Sequence, residues 1–208
     1  MVGIVDYGVG NLFSLVSSFA AIGVEAEATG DPEALLRSER LVLPGVGAFA
    51  DAAKALRRSG LQEVVLQAVK QGTPLLGICL GMQLLLEESF EYGEHPGLGL
   101  IPGQVRPIAE KIPAEFKIPH IGWNALHFVG APCPLFRDSR EGDWVYFVHS
   151  YAGTGCGEAT AAVTEYGAPL TAAVWKDNVY GCQFHPEKSG PVGLRILRAF
   201  CGKAVEAC

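Results

Sequence analysis

Through its first half the chain alternates short, β-branched apolar runs with amphipathic stretches, and that alternation restricts it to a sheet covered by helices on both faces. Val2–Asp6 reads as a buried strand, and Leu12–Ile22 as a helix with Asn11 placed to cap it. Val24–Ala28 is a second strand, Pro32–Arg37 a short helix, and Arg40–Leu43 a third strand ending at Pro44. Ala50–Arg57 and Leu61–Gln71 are helical, Thr73–Ile78 is a strand, and Leu80–Glu88 is a helix running straight out of it. Strands that are apolar throughout are buried on both faces, as in parallel sheets. The expected fold is α/β, a three-layer αβα sandwich with a largely parallel central sheet.

The second half has another rhythm. Leu98–Arg106, Ile121–Phe128, Trp144–Val148, Thr160–Glu165, Leu170–Trp175 and Val179–Phe184 read as short strands between turn-rich segments. They are expected as antiparallel additions on one side of the sheet, with Val192–Val205 closing the chain as a helix. Neither a linker composition nor a repeat divides the 208 residues, so residues 1–208 are read as one domain.

Composition removes several functions. A formal charge of −6 without a basic stripe speaks against nucleic acid. The longest apolar stretch, Pro74 to Leu86, is interrupted by Gln83 and too short to cross a bilayer. Met1–Asp6 has no basic leader pattern, so a cytoplasmic protein is expected. The six cysteines include no Cys-x-x-Cys pair, which argues against a metal site or a disulfide framework. Most read as small buried hydrophobes.

Cys79 is the exception. Gly77-Ile78-Cys79-Leu80-Gly81 follows an apolar strand and precedes a helix, the context of a nucleophile elbow. A helix N-terminus puts free N–H groups and positive potential beside the sulfur. The Leu80 N–H, just after the nucleophile, is placed to serve as an oxyanion-hole donor. Cys182, the rival, lies inside the strand-like run Tyr180–Phe184 with no helix behind it, and reads as core.

A thiol nucleophile needs a base, and five histidines are available. Only His185 is followed by Pro186-Glu187. Proline biases the residue before it toward an extended conformation, where side chains two apart share a face. Glu187 is therefore expected beside the imidazole, fixing its orientation as the third member of a triad does.

Gly77–Gln83 together with His185-Pro186-Glu187 resembles the class I glutamine amidotransferases. Asp6–Asn11, Pro44–Phe49, Gly97–Gly103, Pro119–Asn124 and Tyr146–Tyr151 follow in order, and narrow the resemblance to the branch serving imidazole glycerol phosphate synthesis. The resemblance implies a glutaminase: Cys79, His185 and Glu187 catalytic, glutamine the substrate, no cofactor and no metal. It further implies a heterodimer with a (βα)8-barrel cyclase subunit that uses the ammonia in histidine biosynthesis. Alternatives are a glutaminase serving another ammonia-using synthase, and a stand-alone thiol hydrolase.

By the same resemblance Gly47 supplies the second oxyanion donor, Gln83 contacts the substrate, and His149-Ser150-Tyr151 hold its amino-acid end, largely through backbone groups. Glu91 is read either as the holder of the substrate ammonium or as a solvated carboxylate near a helix C-terminus. Asn11, His120, Trp123 and Asn124 fall on the expected partner-facing side, with core packing the alternative for Trp123. Lys188 reads as a bridge to the partner or as a surface charge.

Overall fold

The structure, a computed structural model, describes residues 1–203. The first half runs β1 (Val2–Val5), α1 (Leu12–Ala21), β2 (Ala26–Thr29), α2 (Pro32–Arg37), β3 (Arg40–Leu43), α3 (Phe49–Arg58), α4 (Leu61–Lys70), β4 (Leu75–Ile78) and α5 (Leu80–Leu84). Next come β5 (Glu88–Ser89), β6 (His95–Pro96), β7 (Gln104–Pro107), β8 (His120–Ala125) and β9 (His127–Phe128). The last elements are β10 (Trp144–His149), β11 (Tyr151–Thr154), β12 (Thr160–Glu165), β13 (Pro169–Lys176), β14 (Val179–Cys182) and α6 (Gly190–Phe200).

The main sheet has the order β2-β1-β3-β4-β14-β13-β12-β9. Its first five strands are parallel, and β13, β12 and β9 extend it antiparallel. Side chains alternate across a strand, so β3 and β4 feed two cores. Leu41, Leu43 and Leu75 pack with Leu35, Phe49, Leu56 and Val65 on one face. Val42, Leu76 and Ile78 pack with Leu15, Phe19, Ile196 and Leu197 on the other. These are the three expected layers. No helix among the described residues is long and apolar enough to cross a membrane.

Several expectations about the second half are corrected. Antiparallel additions account only for β13, β12 and β9; β14 is parallel to β4. A two-residue turn at Asp177-Asn178 returns the chain from β13 into that place. The other strands build a β10-β8 pair and a separate sheet, β11-β7-β5-β6. Ile121–Phe128 is two strands, because Leu126 leaves the ladder to exchange backbone hydrogen bonds with Asp143 and Gly142.

Leu80–Glu88 is helical only to Leu84, and Leu98 to Gly103 forms no strand. One cause explains both. The N–H groups of Leu98, Gly99 and Leu100 donate to the carbonyls of Leu84, Leu86 and Leu85, which a longer helix or its solvent would otherwise use. At the α1 C-terminus the Val24 N–H bonds back to Phe19 O, so the second strand starts later than expected. The closing helix begins at Gly190 and ends at Phe200; the expected end at Val205 lies outside the described residues.

Candidate active site

Cys79 stands between β4 and α5 with φ 55° and ψ −111°, a conformation that costs a non-glycine residue energy and is held here by its surroundings. Its N–H donates to Cys182 O at 2.8 Å, and its carbonyl accepts from Gln83 N–H. The flanking glycines are there for close approach. A Cβ on Gly81 would lie 1.8 Å from Leu43 O, and one on Gly77 would lie 2.7 Å from Gly81 O. The elbow is thereby pressed against β3. As the first residue of α5, Leu80 carries an N–H that the helix itself does not use.

His185 follows β14. Its N–H donates to Tyr146 O at 2.9 Å, and its carbonyl accepts from Ser189 Oγ at 2.7 Å, so the backbone beneath the ring is fixed on both sides. Nδ1 lies 2.7 Å from Glu187 Oε1, with the two side chains 4% and 3% exposed. The contact is made differently from the expectation. His185 is extended, but Pro186–Lys188 forms a 3-10 turn that brings the carboxylate back to the ring. Glu187 Oε2 has no hydrogen-bond partner among the described residues. Burial disfavours the imidazolium, yet the Cys79 sulfur and the Glu187 carboxylate beside the ring outweigh it and raise His185 to about 9.

Cys182 is fully buried. Burial, and then the negative charges of Glu187 and Cys79, push its thiol well above the ordinary range, consistent with its reading as core.

A cleft of about 700 Å³ opens over Cys79 and His185, and Gly47, Leu80, Gln83, Glu91, His149, Ser150, Tyr151 and Lys188 also line it. Residues widely separated in sequence thus meet at one cavity. Gly47 has φ 87°, a conformation natural only to glycine, and its loop begins at Pro44, whose carbonyl accepts from the buried Tyr7 hydroxyl at 2.7 Å.

Glu91 is corrected on one point. It follows β5 rather than a helix C-terminus, and its Oε2 accepts the N–H of Phe49 at the start of α3, so it is not simply solvated. An anion at a helix N-terminus is favourably placed.

The residues expected on a partner face divide. Asn11 is exposed and caps α1 through Ser14 N–H at 3.3 Å. Trp123 is 50% exposed, which removes the core-packing alternative. Its ring meets Tyr146 edge-on at 6.2 Å, and Lys188 Nζ lies 5.9 Å from the Tyr146 ring centre on the same cluster. Asn124 is half-buried, its amide donating to Glu165 O at 2.8 Å. His120 is corrected: at 2% exposure it is no surface residue, being stacked between Phe147 and Tyr166.

Two residues at the site went unseen in the sequence. Gln183 Nε2 donates toward Cys79 Sγ at 3.7 Å, and Gln83 Nε2 donates to Gln183 Oε1 at 3.0 Å. The signal available was an amide inside an apolar strand-like run, since a buried amide must find partners. Ser189, which braces His185, carried none. No group of His, Cys, Asp or Glu among the described residues could hold a metal ion.

Known proteins resemble this chain over nearly its whole length. Residues 3–204 match the family model described as glutamine amidotransferase class-I. The chain is 47% identical over 203 residues to imidazole glycerol phosphate synthase subunit HisH of Wolinella succinogenes, covering 97% of this chain and 98% of that protein. It is 47% identical to the protein of the same name from Geobacter sulfurreducens, covering 96% and 97%. A glutamine amidotransferase crystal structure superposes with a TM-score of 0.74 at 23% identity, covering 97% of each chain. PurLQS from Thermotoga maritima superposes with a TM-score of 0.75 at 19% identity, again over 97% of each.

Proposed function

The chain belongs to the class I glutamine amidotransferase family, and from that premise we infer that it is the glutaminase subunit of an imidazole glycerol phosphate synthase. It hydrolyses glutamine to glutamate and ammonia and supplies the ammonia to a cyclase subunit in histidine biosynthesis. The observation that carries the reading is a cysteine at positive φ on a strand-to-helix elbow, sharing one cleft with a histidine whose Nδ1 is held 2.7 Å from a buried glutamate.

Cys79 Sγ attacks the glutamine carboxamide carbon, and the resulting oxyanion takes hydrogen bonds from the N–H groups of Leu80 and Gly47. His185 enters protonated, which its pKa of about 9 supports at neutral pH, and gives that proton to the departing ammonia. The remaining γ-glutamyl thioester is attacked by water, whose proton passes to His185, and cleavage of the carbon–sulfur bond releases glutamate and the thiolate. Glu187 holds Nδ1–H throughout and stabilises the imidazolium, as a triad carboxylate does. Gln83 contacts the substrate, Glu91 holds its ammonium, and the His149-Ser150-Tyr151 segment holds its amino-acid end.

The cyclase partner is a (βα)8-barrel bound as a heterodimer over Asn11, Trp123, Asn124 and Lys188. Exposed tryptophan beside a lysine supports that placement, because aromatic side chains are enriched at the energetic centre of interfaces. A biosynthetic enzyme of this kind works in the cytoplasm.

Glutaminase is measured with and without the cyclase and its nucleotide substrate. The wild-type complex should release glutamate, and Cys79→Ala should not, while retaining synthesis from free ammonium. A Cys79→Ala complex with undiminished glutaminase would sink the assignment.

A further inference from the structure

Behind His149, which lines the cleft, lies a second histidine, His120, that the steps above leave without a task. The register of β8 on β10 sets His120 opposite His149, and the two are 2% and 6% exposed. His149 Nδ1 lies 2.9 Å from Tyr151 O, and His120 Nδ1 lies 3.0 Å from His149 Nε2. Asn124 Nδ2 lies 3.3 Å from His120 Nε2.

These distances decide where every proton sits. A carbonyl oxygen only accepts, so His149 carries its hydrogen on Nδ1. A neutral imidazole has one N–H, which leaves His149 Nε2 bare and obliges His120 to donate from Nδ1. His120 Nε2 is bare in turn and accepts from Asn124. The Asn124 amide has no freedom to reverse, because Nδ2 also donates to Glu165 O at 2.8 Å and Oδ1 accepts from Ala125 N–H at 2.8 Å. A second proton on either ring would set N–H against N–H, and burial keeps both imidazoles neutral by lowering each to about 4. Phe147 and Tyr166 clamp the His120 ring from its two faces, with centroids at 4.9 and 4.1 Å.

The far end of this directed chain reaches the nucleophile. Tyr151 O accepts a second hydrogen bond, from Gln83 Nε2 at 3.1 Å. Gln83 also binds Gln183 Oε1, and Gln183 Nε2 faces Cys79 Sγ. Tyr151 O is therefore the point where the histidine pair and the amides beside Cys79 meet, within the turn that lines the cleft.

The geometry points to His120 as a positioning residue for glutamine: its Nδ1–H locks the His149 ring, and through it the Ser150-Tyr151 turn, so that it governs glutamine affinity more than the chemical step. This rests on the glutaminase reading above. His120 touches neither the cleft nor the reacting atoms, so it acts only through His149.

The test uses the full complex with the cyclase. His120→Leu leaves His149 Nε2 a buried acceptor without its donor. His120→Asn puts an amide N–H close to where imidazole Nδ1 stood, and so keeps that donor. The expected result for His120→Leu is a KM for glutamine raised by roughly 5- to 160-fold at most, the range that leaving one buried polar atom unpaired implies, with kcat changed much less. His120→Asn should recover most of the lost affinity. Nitrogen-15 NMR of histidine-labelled wild-type protein should show both rings as the Nδ1–H tautomer, the less common form of free histidine. A folded His120→Leu complex with unchanged KM, a loss confined to kcat, an Asn variant no better than Leu, or an Nε2–H signal at His149 overturns the inference. Should the leucine variant fail to fold, the wild-type tautomers and the asparagine variant still decide. Absence of glutaminase in the wild-type complex would count against the enzymatic reading instead, and the tautomers, which need no turnover, would then judge the histidine pair alone.

Discussion

Replacing Glu187 by glutamine removes one charge from a buried pair and little else. The carboxylate lies 2.7 Å from His185 Nδ1 with both side chains almost fully buried. Coulomb's law at that distance with an effective dielectric of about 20 gives roughly 6 kcal/mol, a ceiling rather than a net value. Glutamine can still turn its carbonyl to Nδ1–H, so the hydrogen bond survives and the charge term is lost. Its NH2 then occupies the place of Oε2, to which nothing among the described residues donates a hydrogen bond, so the exchange breaks none there. An opposite charge at such range moves a pKa by about 1–3 units, so the alkaline limb of kcat, set near pH 9 by His185, should move down by about that much. Turnover at neutral pH should fall by at most about 10²–10⁴, and KM for glutamine should change less. Stability follows the same sign. The folded pKa lies above the ordinary 6.5, so the stabilisation is fully present below pH 6.5 and is lost as pH rises through about 9. It amounts to about 3 kcal/mol at most, shared between Cys79 and Glu187, so the variant's melting deficit should be largest in acid. The assay is glutamate release by the complex from pH 5.5 to about 10, beside thermal melts across that range. Unchanged turnover with an unmoved alkaline limb would refute the role given to Glu187.

Three further outcomes are expected. A glutamine-like diazoketone should label Cys79 and spare Cys182, which is fully buried with a raised thiol pKa; mass spectrometry finding the label on Cys182 would reverse the assignment. Gly47→Ala penalises the observed φ of 87° by about 1–2 kcal/mol and favours the opposite orientation of the Val46–Gly47 peptide. If partner binding completes the oxyanion hole by that reorientation, partner-free glutaminase should rise and the stimulation by the cyclase should shrink; a lower partner-free rate with stimulation intact argues against it. Gly81→Ala drives a Cβ to 1.8 Å from Leu43 O, so denaturant melts should show destabilisation beyond about 4 kcal/mol or no folded protein, and a loss under about 1 kcal/mol would mean that the elbow is not wedged against β3.

The grouping of Cys79, His185 and Glu187, proposed as the triad, was legible in the amino-acid order because its signals are local. Glycines two residues either side of Cys79 mark an elbow, and His185 and Glu187 are near neighbours in sequence, although a 3-10 turn rather than the expected extended chain brings them together. The layers were legible for a similar reason, since apolar strand runs announce burial on both faces within a few residues. Tertiary contacts decided the rest. Whether α5 stops at Leu84 depends on Gly97 to Ile101 arriving to take its carbonyls, and whether β14 runs parallel depends on a hairpin delivering it beside β4. Gln183 reaches Cys79, and His120 reaches His149, across separations of 104 and 29 residues. A side chain's sequence neighbours specify its conformational preferences, but a buried amide or imidazole takes its role from whichever polar atom the fold places opposite it, and that atom is chosen only when the strands pair.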